Sequence, residues 1–189
     1  MFDTIGGLPV HPLVVHAVVV LLPLAVLGTI AVAVFPRWRT RYAGINALVA
    51  VVGTALCPVA TSSGEALEHR VGDPGLHAEL GDQLLWFSLP MALLALILWW
   101  MQRRAHADVD TDRELGTQDR EGPGFHGPAT TTPRREHRRR SVRGLGVVAV
   151  LAVVAAIASG VQVYRVGDSG AKAVWADQMT AAPAASSNG

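Results

Sequence analysis

This chain of 189 residues has little of several residue types that other classes of protein depend on. It holds one cysteine, Cys57, so an internal disulfide is excluded. Only 16% of its residues are charged and the formal net charge is +1, which gives no general attraction to nucleic acid. Neither a Gly-x-Ser-x-Gly nucleophile elbow nor a phosphate-binding glycine loop occurs. These absences argue against an enzyme and against a nucleic-acid-binding protein.

Hydrophobic residues, by contrast, make up half of the chain and are concentrated in four runs. Each run has about 18 to 23 residues, and an α-helix needs about 20 to cross the hydrocarbon core of a bilayer. The pattern predicts an all-α fold, a four-helix transmembrane bundle, with spans near 13–35, 44–61, 84–101 and 145–164. Residues 1–177 are expected to form one membrane domain.

The charges of the loops predict the orientation of this bundle. The loop at 36–42 has three Arg and no acidic residue, and the loop at 102–143 has ten Arg against seven acidic residues. The loop at 62–83 has five acidic residues and a single Arg. Because positively charged loops stay in the cytoplasm, both termini are expected on the extracytoplasmic side of the plasma (inner) membrane of a bacterium.

Two segments show no hydrophobic periodicity. Residues 102–143 mix Gly, Pro, Thr, Asp and Arg, which predicts a disordered cytoplasmic loop between the third and fourth spans. Residues 178–189 are rich in Ala and Ser and contain a proline, which predicts a disordered tail. No internal repeat is evident in the residue pattern.

Side chains of the kinds that bind metals gather at the predicted outer ends of the helices. About 20 residues counted back from each inner end set the outer membrane surface. At about 1.5 Å per residue, each helix then places one potential ligand roughly 7 to 9 Å above that surface: His11, His69, His77 and Asp168. His16 and Glu65 are expected closer to the interface.

These six residues, His11, His16, His77, Asp168, Glu65 and His69, are therefore candidate ligands for a transition metal, which imidazole and carboxylate groups commonly bind. They also fit the ordinary polarity of helix ends, and Asp168 fits a turn. Haem between facing histidines is a further interpretation. It is less favoured because His16 and His77 are expected at different heights, whereas His11 and His77 are level but lie above the apolar core.

Three functions remain open at this point. The first is a non-enzymatic membrane protein with an outward-facing metal or haem site. The second is a structural or accessory subunit without a cofactor, whose spans dock on a membrane protein partner or on copies of itself. The third is a small transporter, which is disfavoured because the spans hold no charged residue near mid-membrane, where coupling residues usually lie.

Two motifs resemble those of a known bacterial family. The chain opens with Gly7-x-Pro9-x-His11-Pro12-x-x-Val15-His16, and Gly167-Asp168-Ser169-Gly170-Ala171-Lys172-x-Val174-Trp175 follows the fourth run. Both are similar to motifs of the membrane family named domain of unknown function twenty-two thirty-one. The resemblance implies four membrane helices, in agreement with the hydropathy. It implies no activity, since none is established for the family.

Overall fold

The structure, a computed structural model, describes residues 4–5, 8–71, 75–118 and 132–180. These residues form four long helices: α1 (Val10–Val34), α2 (Pro36–Val71), α3 (Leu76–Gln118) and α4 (Thr132–Thr180). A two-residue antiparallel ladder, β1 (Thr4–Ile5) with β2 (Leu8–Pro9), precedes α1. The predicted all-α fold is confirmed.

Each helix is long and apolar enough to cross a membrane. The qualifying segments are His11–Val34, Pro36–Ala66, Leu76–Ala105 and Gly144–Lys172, and each contains one of the four predicted spans almost completely. A helix satisfies its own backbone hydrogen bonds, which lipid cannot do, so long apolar runs adopt it in a bilayer. The chain is therefore a multi-pass membrane protein.

The four helices form a bundle in which each helix packs on two others. Helices α1 and α3 both pack on α2 and on α4, so that α1 and α3 lie diagonally across the bundle with little contact between them. Leu22, Ala25, Ala50, Met91 and Ala156 are fully buried at its centre. Small residues dominate this core because, without a hydrophobic driving force in lipid, close backbone approach supplies the packing.

The connection between α1 and α2 is the single residue Phe35. Pro36 begins α2, a position where its missing N–H has no helical partner to lose. The Arg39 side chain turns back and donates hydrogen bonds to the carbonyls of Val32 (3.1 Å) and Ala33, at the end of α1. The loop predicted at 36–42 is therefore the first part of α2, and Arg39 satisfies carbonyls that the end of α1 leaves unpaired.

The structure also differs from the predicted disordered loop at 102–143. Helix α3 continues to Gln118 and α4 already begins at Thr132, so both flanks of that segment are helical. Residues 119–131 lie outside the described part of the chain. Of the predicted tail, 178–180 belong to α4 and 181–189 lie outside the described residues. Low hydropathy in these flanks predicts where the membrane-spanning part of each helix ends. A helix can continue beyond that point, so the same signal does not predict where the helix itself ends.

The two ends of the bundle differ in character. At one end, called here the histidine end, α1 and α3 begin and α2 passes beyond its predicted span. At the other, called the arginine end, exposed Arg41, Arg103 and Arg104 lie over the rings of Tyr42, Trp99 and Trp100, at 5.7, 5.1 and 3.5 Å respectively. Aromatic and basic side chains of this kind are enriched at membrane interfaces.

Candidate functional site

His11 lies in the first turn of α1 and contacts the last part of α2. Its Nδ1 is 3.1 Å from the carbonyl oxygen of Ala60 and 3.0 Å from Oγ of Ser63. The Ser63 hydroxyl itself donates to the Ala60 carbonyl at 2.9 Å. Since a carbonyl only accepts hydrogen bonds, Nδ1 is the protonated nitrogen of this contact; in the neutral form of such a ring Nε2 keeps its lone pair.

Gly64 makes room for this ring. A Cβ atom at Gly64 would lie 3.1 Å from Cε1 of His11, closer than ordinary van der Waals contact. The edge of the imidazole therefore rests against the backbone of α2. We call His11, Ala60, Ser63 and Gly64 the first histidine cluster.

His77, in the first turn of α3, makes the same set of contacts with α4. Its Nδ1 is 3.2 Å from the carbonyl oxygen of Val166 and 3.3 Å from Oγ of Ser169, whose hydroxyl donates to Val166 at 2.9 Å. A Cβ atom at Gly170 would lie 3.0 Å from Cε1 of His77. We call His77, Val166, Ser169 and Gly170 the second histidine cluster.

Both rings are thus held through Nδ1 alone. Among the residues that the structure describes, none forms a hydrogen bond with Nε2 of His11 or of His77. A backbone carbonyl on Nδ1 is the usual outer contact of a histidine that binds a metal, because it sets the tautomer and orients the ring. Each cluster can therefore present one imidazole nitrogen to an electron-pair acceptor.

The second cluster has an additional buried support. Gln162, 1% exposed, donates from its amide nitrogen to the carbonyl of Leu80 at 3.0 Å, which ties α4 to α3 one turn below His77. Arg165 in turn donates to the Gln162 side-chain oxygen at 3.4 Å. These contacts fix the spacing of the two helices at the level where His77 meets Val166.

The other candidate ligands are placed differently. His16 is exposed, and its Nδ1 is 2.6 Å from the carbonyl of Pro12 in its own helix. Asp168 forms an ion pair with Lys172 at 2.7 Å on the outside of α4. Glu65 is exposed on α2, next to Gly64. His69 lies in the last turns of α2, and its side chain is outside the described part.

Within the described residues, no three side chains of His, Cys, Asp or Glu lie close enough together to hold one metal ion. The six-residue metal site stays a prediction. The structure instead places each of two histidines, His11 and His77, beside a serine and a glycine of the following helix. Sequence reasoning missed Ser63, Gly64, Ser169 and Gly170, although the repeated Ser-Gly pair was a signal that could have found them.

Four helices that are long and apolar enough to cross a membrane define a four-span membrane protein. More narrowly, the chain belongs to the family DUF2231, described as a predicted membrane protein, whose family model matches residues 7–118. The match includes the first histidine cluster and His77, and it ends before α4 and the second motif of the sequence. No curated protein and no solved structure matches the chain.

Proposed function

We propose that this protein is a non-enzymatic component of a bacterial plasma membrane, with both termini outside, that binds a transition metal ion or haem at the histidine end. His11 and His77 supply the binding nitrogens. The observation that carries the proposal is that the two imidazole rings make the same contacts: Nδ1 of each lies within hydrogen-bond distance of a backbone carbonyl and a serine hydroxyl. That arrangement orients a neutral imidazole for coordination through Nε2.

The distribution of charge supports the proposed orientation. The exposed side chains of Arg37, Arg41, Arg103 and Arg104 lie at the arginine end, and positive charge is retained in the cytoplasm. The histidine end then faces outward. A cofactor there is accessible from outside the cell, which suits capture or exchange of a metal or electrons at the outer surface.

His16, Glu65, His69 and Asp168 have a secondary place in this proposal. The Asp168 carboxylate is already engaged by Lys172, and neither Glu65 nor His16 shares a hydrogen bond with the clusters. They are retained as outer ligands that an ion at His11 or His77 would recruit. Imidazole nitrogen favours zinc, copper and iron over magnesium or calcium, so the proposed ion is one of the first group.

The proposal is tested on full-length protein purified from membranes in mild detergent. Elemental analysis and a reduced-minus-oxidised visible spectrum would report a metal or a haem. We expect His11→Asn and His77→Asn to lower the content of that cofactor. The asparagine amide can still donate to the carbonyl on the facing helix, so the variant removes Nε2 while it preserves the contact between helices.

His106→Asn is the matched control, because His106 lies in α3 beyond Arg103 and Arg104, at the arginine end of the bundle. This variant should keep the cofactor. A folded, cofactor-free wild-type protein that stays so after growth with added iron, copper and zinc would reject the proposal. The histidine clusters would then be ties between helices, as expected for an accessory subunit that docks on a membrane protein partner or on its own copies.

A further inference from the structure

The two histidine clusters correspond contact by contact. In each, a histidine in the first turn of one helix meets a carbonyl, the serine three residues later and the next glycine on the following helix. His77 follows His11 by 66 residues, and Ser169 follows Ser63 by 106. The α1–α2 hairpin and the α3–α4 hairpin therefore have the same construction, although no repeat was evident in the sequence.

Burial follows the same correspondence between α1 and α3. Six of the seven buried residues of α1 have a buried counterpart 66 positions later: Val18 with Leu84, Leu22 with Ser88, Ala25 with Met91, Val26 with Ala92, Thr29 with Ala95 and Val32 with Leu98. A helical burial pattern recurs every three or four residues, so this match alone allows several registers. The histidine clusters select one of them.

Helices α2 and α4 correspond with the larger shift of 106. Four of the seven buried residues described in α2 have a buried counterpart 106 positions later: Ala43 with Ala149, Asn46 with Ala152, Ala50 with Ala156 and Gly53 with Ser159. The shift exceeds 66 by 40 residues, so the second hairpin has 40 more residues than the first between corresponding positions of its two helices. These additional residues, which include the end of α3 and the start of α4, are an insertion between the matched parts of the helices.

We infer that the membrane domain is two copies of one helical hairpin, each carrying its own imidazole site, so that the protein binds two cofactors per chain. This rests on the proposed function. Among the residues that the structure describes, the hydrogen-bond partners of each imidazole belong to its own hairpin, and α1 and α3 are the diagonal helices of the bundle.

Stoichiometry tests the inference. Cofactor-free, full-length protein is titrated with Cu²⁺ by calorimetry and, in a second sample, with haemin followed by its visible absorption. We expect two equivalents of at least one of these probes. His11→Asn and His77→Asn should each bind one equivalent, with affinities within about tenfold of each other, as expected for like ligands.

The double variant His11→Asn/His77→Asn measures binding by the other five histidines of the chain, and it should bind none of the probe tightly. His106→Asn, the control at the arginine end, should bind two equivalents. Circular dichroism and gel filtration establish that each variant is folded. Because asparagine retains the donor to the facing carbonyl, loss of binding in a folded variant reports loss of Nε2.

Three results would overturn the inference in distinguishable ways. One equivalent in the wild type, lost entirely in either single variant, means that both histidines share one cofactor; the proposed function then survives and the two-site inference fails. No binding of either probe by folded wild type rejects the proposed function as well. Undiminished binding by the double variant places the site elsewhere and rejects both.

Discussion

The two hairpins share their histidine clusters but differ in how their helices are tied together farther along. In the first hairpin, Asn46 on α2 donates to the Thr29 hydroxyl on α1 at 2.9 Å, and both side chains are buried. The corresponding positions of the second hairpin are Ala152 and Ala95, which have no polar side chain. The second hairpin instead has the Gln162–Leu80 contact near its histidine.

This difference separates two requirements of the fold. Close packing of the two helices is achieved by different residues in each hairpin. In the first, Gly28 of α1 faces Asn46 of α2; at the corresponding positions of the second, Leu94 of α3 packs against a group of buried residues that includes Ala152 of α4. The polar contact at the histidine end is kept in both. What is common to the two hairpins is therefore the part that the proposed function uses.

The largest expected effect on stability comes from replacing the residue pair Gly28 and Asn46 of the first hairpin with the Leu and Ala found at the corresponding positions of the second. A Cβ atom at Gly28 would overlap the Asn46 side chain. Gly28→Leu should therefore lower the free energy of unfolding by about 3 kcal/mol or more, as overpacking of a filled core does. Adding Asn46→Ala, which reproduces the Leu-with-Ala pairing of the second hairpin, should restore at least half of that loss. Unfolding by SDS in mixed micelles measures both.

Gly146→Leu is the control. Apart from the adjacent backbone of its own helix, no atom lies within 4 Å of the position that a Cβ would take at Gly146. It should be close to neutral. If Asn46→Ala fails to rescue Gly28→Leu, the two residue pairs are not interchangeable, and the correspondence between the hairpins stops at the histidine end.

A smaller effect is expected from removing the polar tie of each hairpin. Asn46→Ala leaves the buried Thr29 hydroxyl without its partner and should cost about 1 kcal/mol, near the upper part of the range for such bonds between membrane helices. Gln162→Leu should cost about 0.5 kcal/mol, because the Leu80 carbonyl keeps its helical hydrogen bond. The same unfolding titration compares them. A larger loss for Gln162→Leu would show that this contact also holds the second histidine cluster in place.

Effects on stability as small as that of Gln162→Leu are expected at the serines, where the two hairpins should behave alike. Ser63→Ala and Ser169→Ala each remove one contact of an imidazole while the carbonyl contact remains. Each should cost about 0.5 kcal/mol of stability and weaken binding at its own histidine by about tenfold, as removal of an outer contact typically does. Unequal effects on the two sites would contradict the equivalence of the hairpins. Ser62→Ala, on the exposed side of α2, is the matched control and should change neither.

The helices could be predicted because each span is a run of apolar residues of bilayer length, and length is a property of the chain alone. Their ends could not. The predicted first loop is helical from Pro36 onward, and Arg39 within it donates to carbonyls at the end of α1. The flanks of the predicted long loop are helical although their composition is polar.

At the candidate site, the sequence indicated His11 and His77, whereas the hydrogen-bond partners of the two rings came only from the structure. A count along the fourth helix brings Asp168 to the height of His77, yet Asp168 turns outward to Lys172 and its neighbours Ser169 and Gly170 meet the ring. One residue on a helix is a rotation of about 100°, which follows from 3.6 residues per turn. Height can be counted from the membrane surface, but the rotation of a helix about its axis is set by the helices it packs on.

The sequence by itself thus determined that this is a four-span, all-α membrane protein with histidines near the ends of its first and third helices. Run length and residue type decide those properties without reference to other parts of the chain. Only the tertiary structure decided that α1 and α3 lie on a diagonal, that each histidine is held by a carbonyl, a serine and a glycine of the next helix, and that the two hairpins match. These properties depend on which faces of the helices meet, and similar apolar faces leave that choice to side-chain packing.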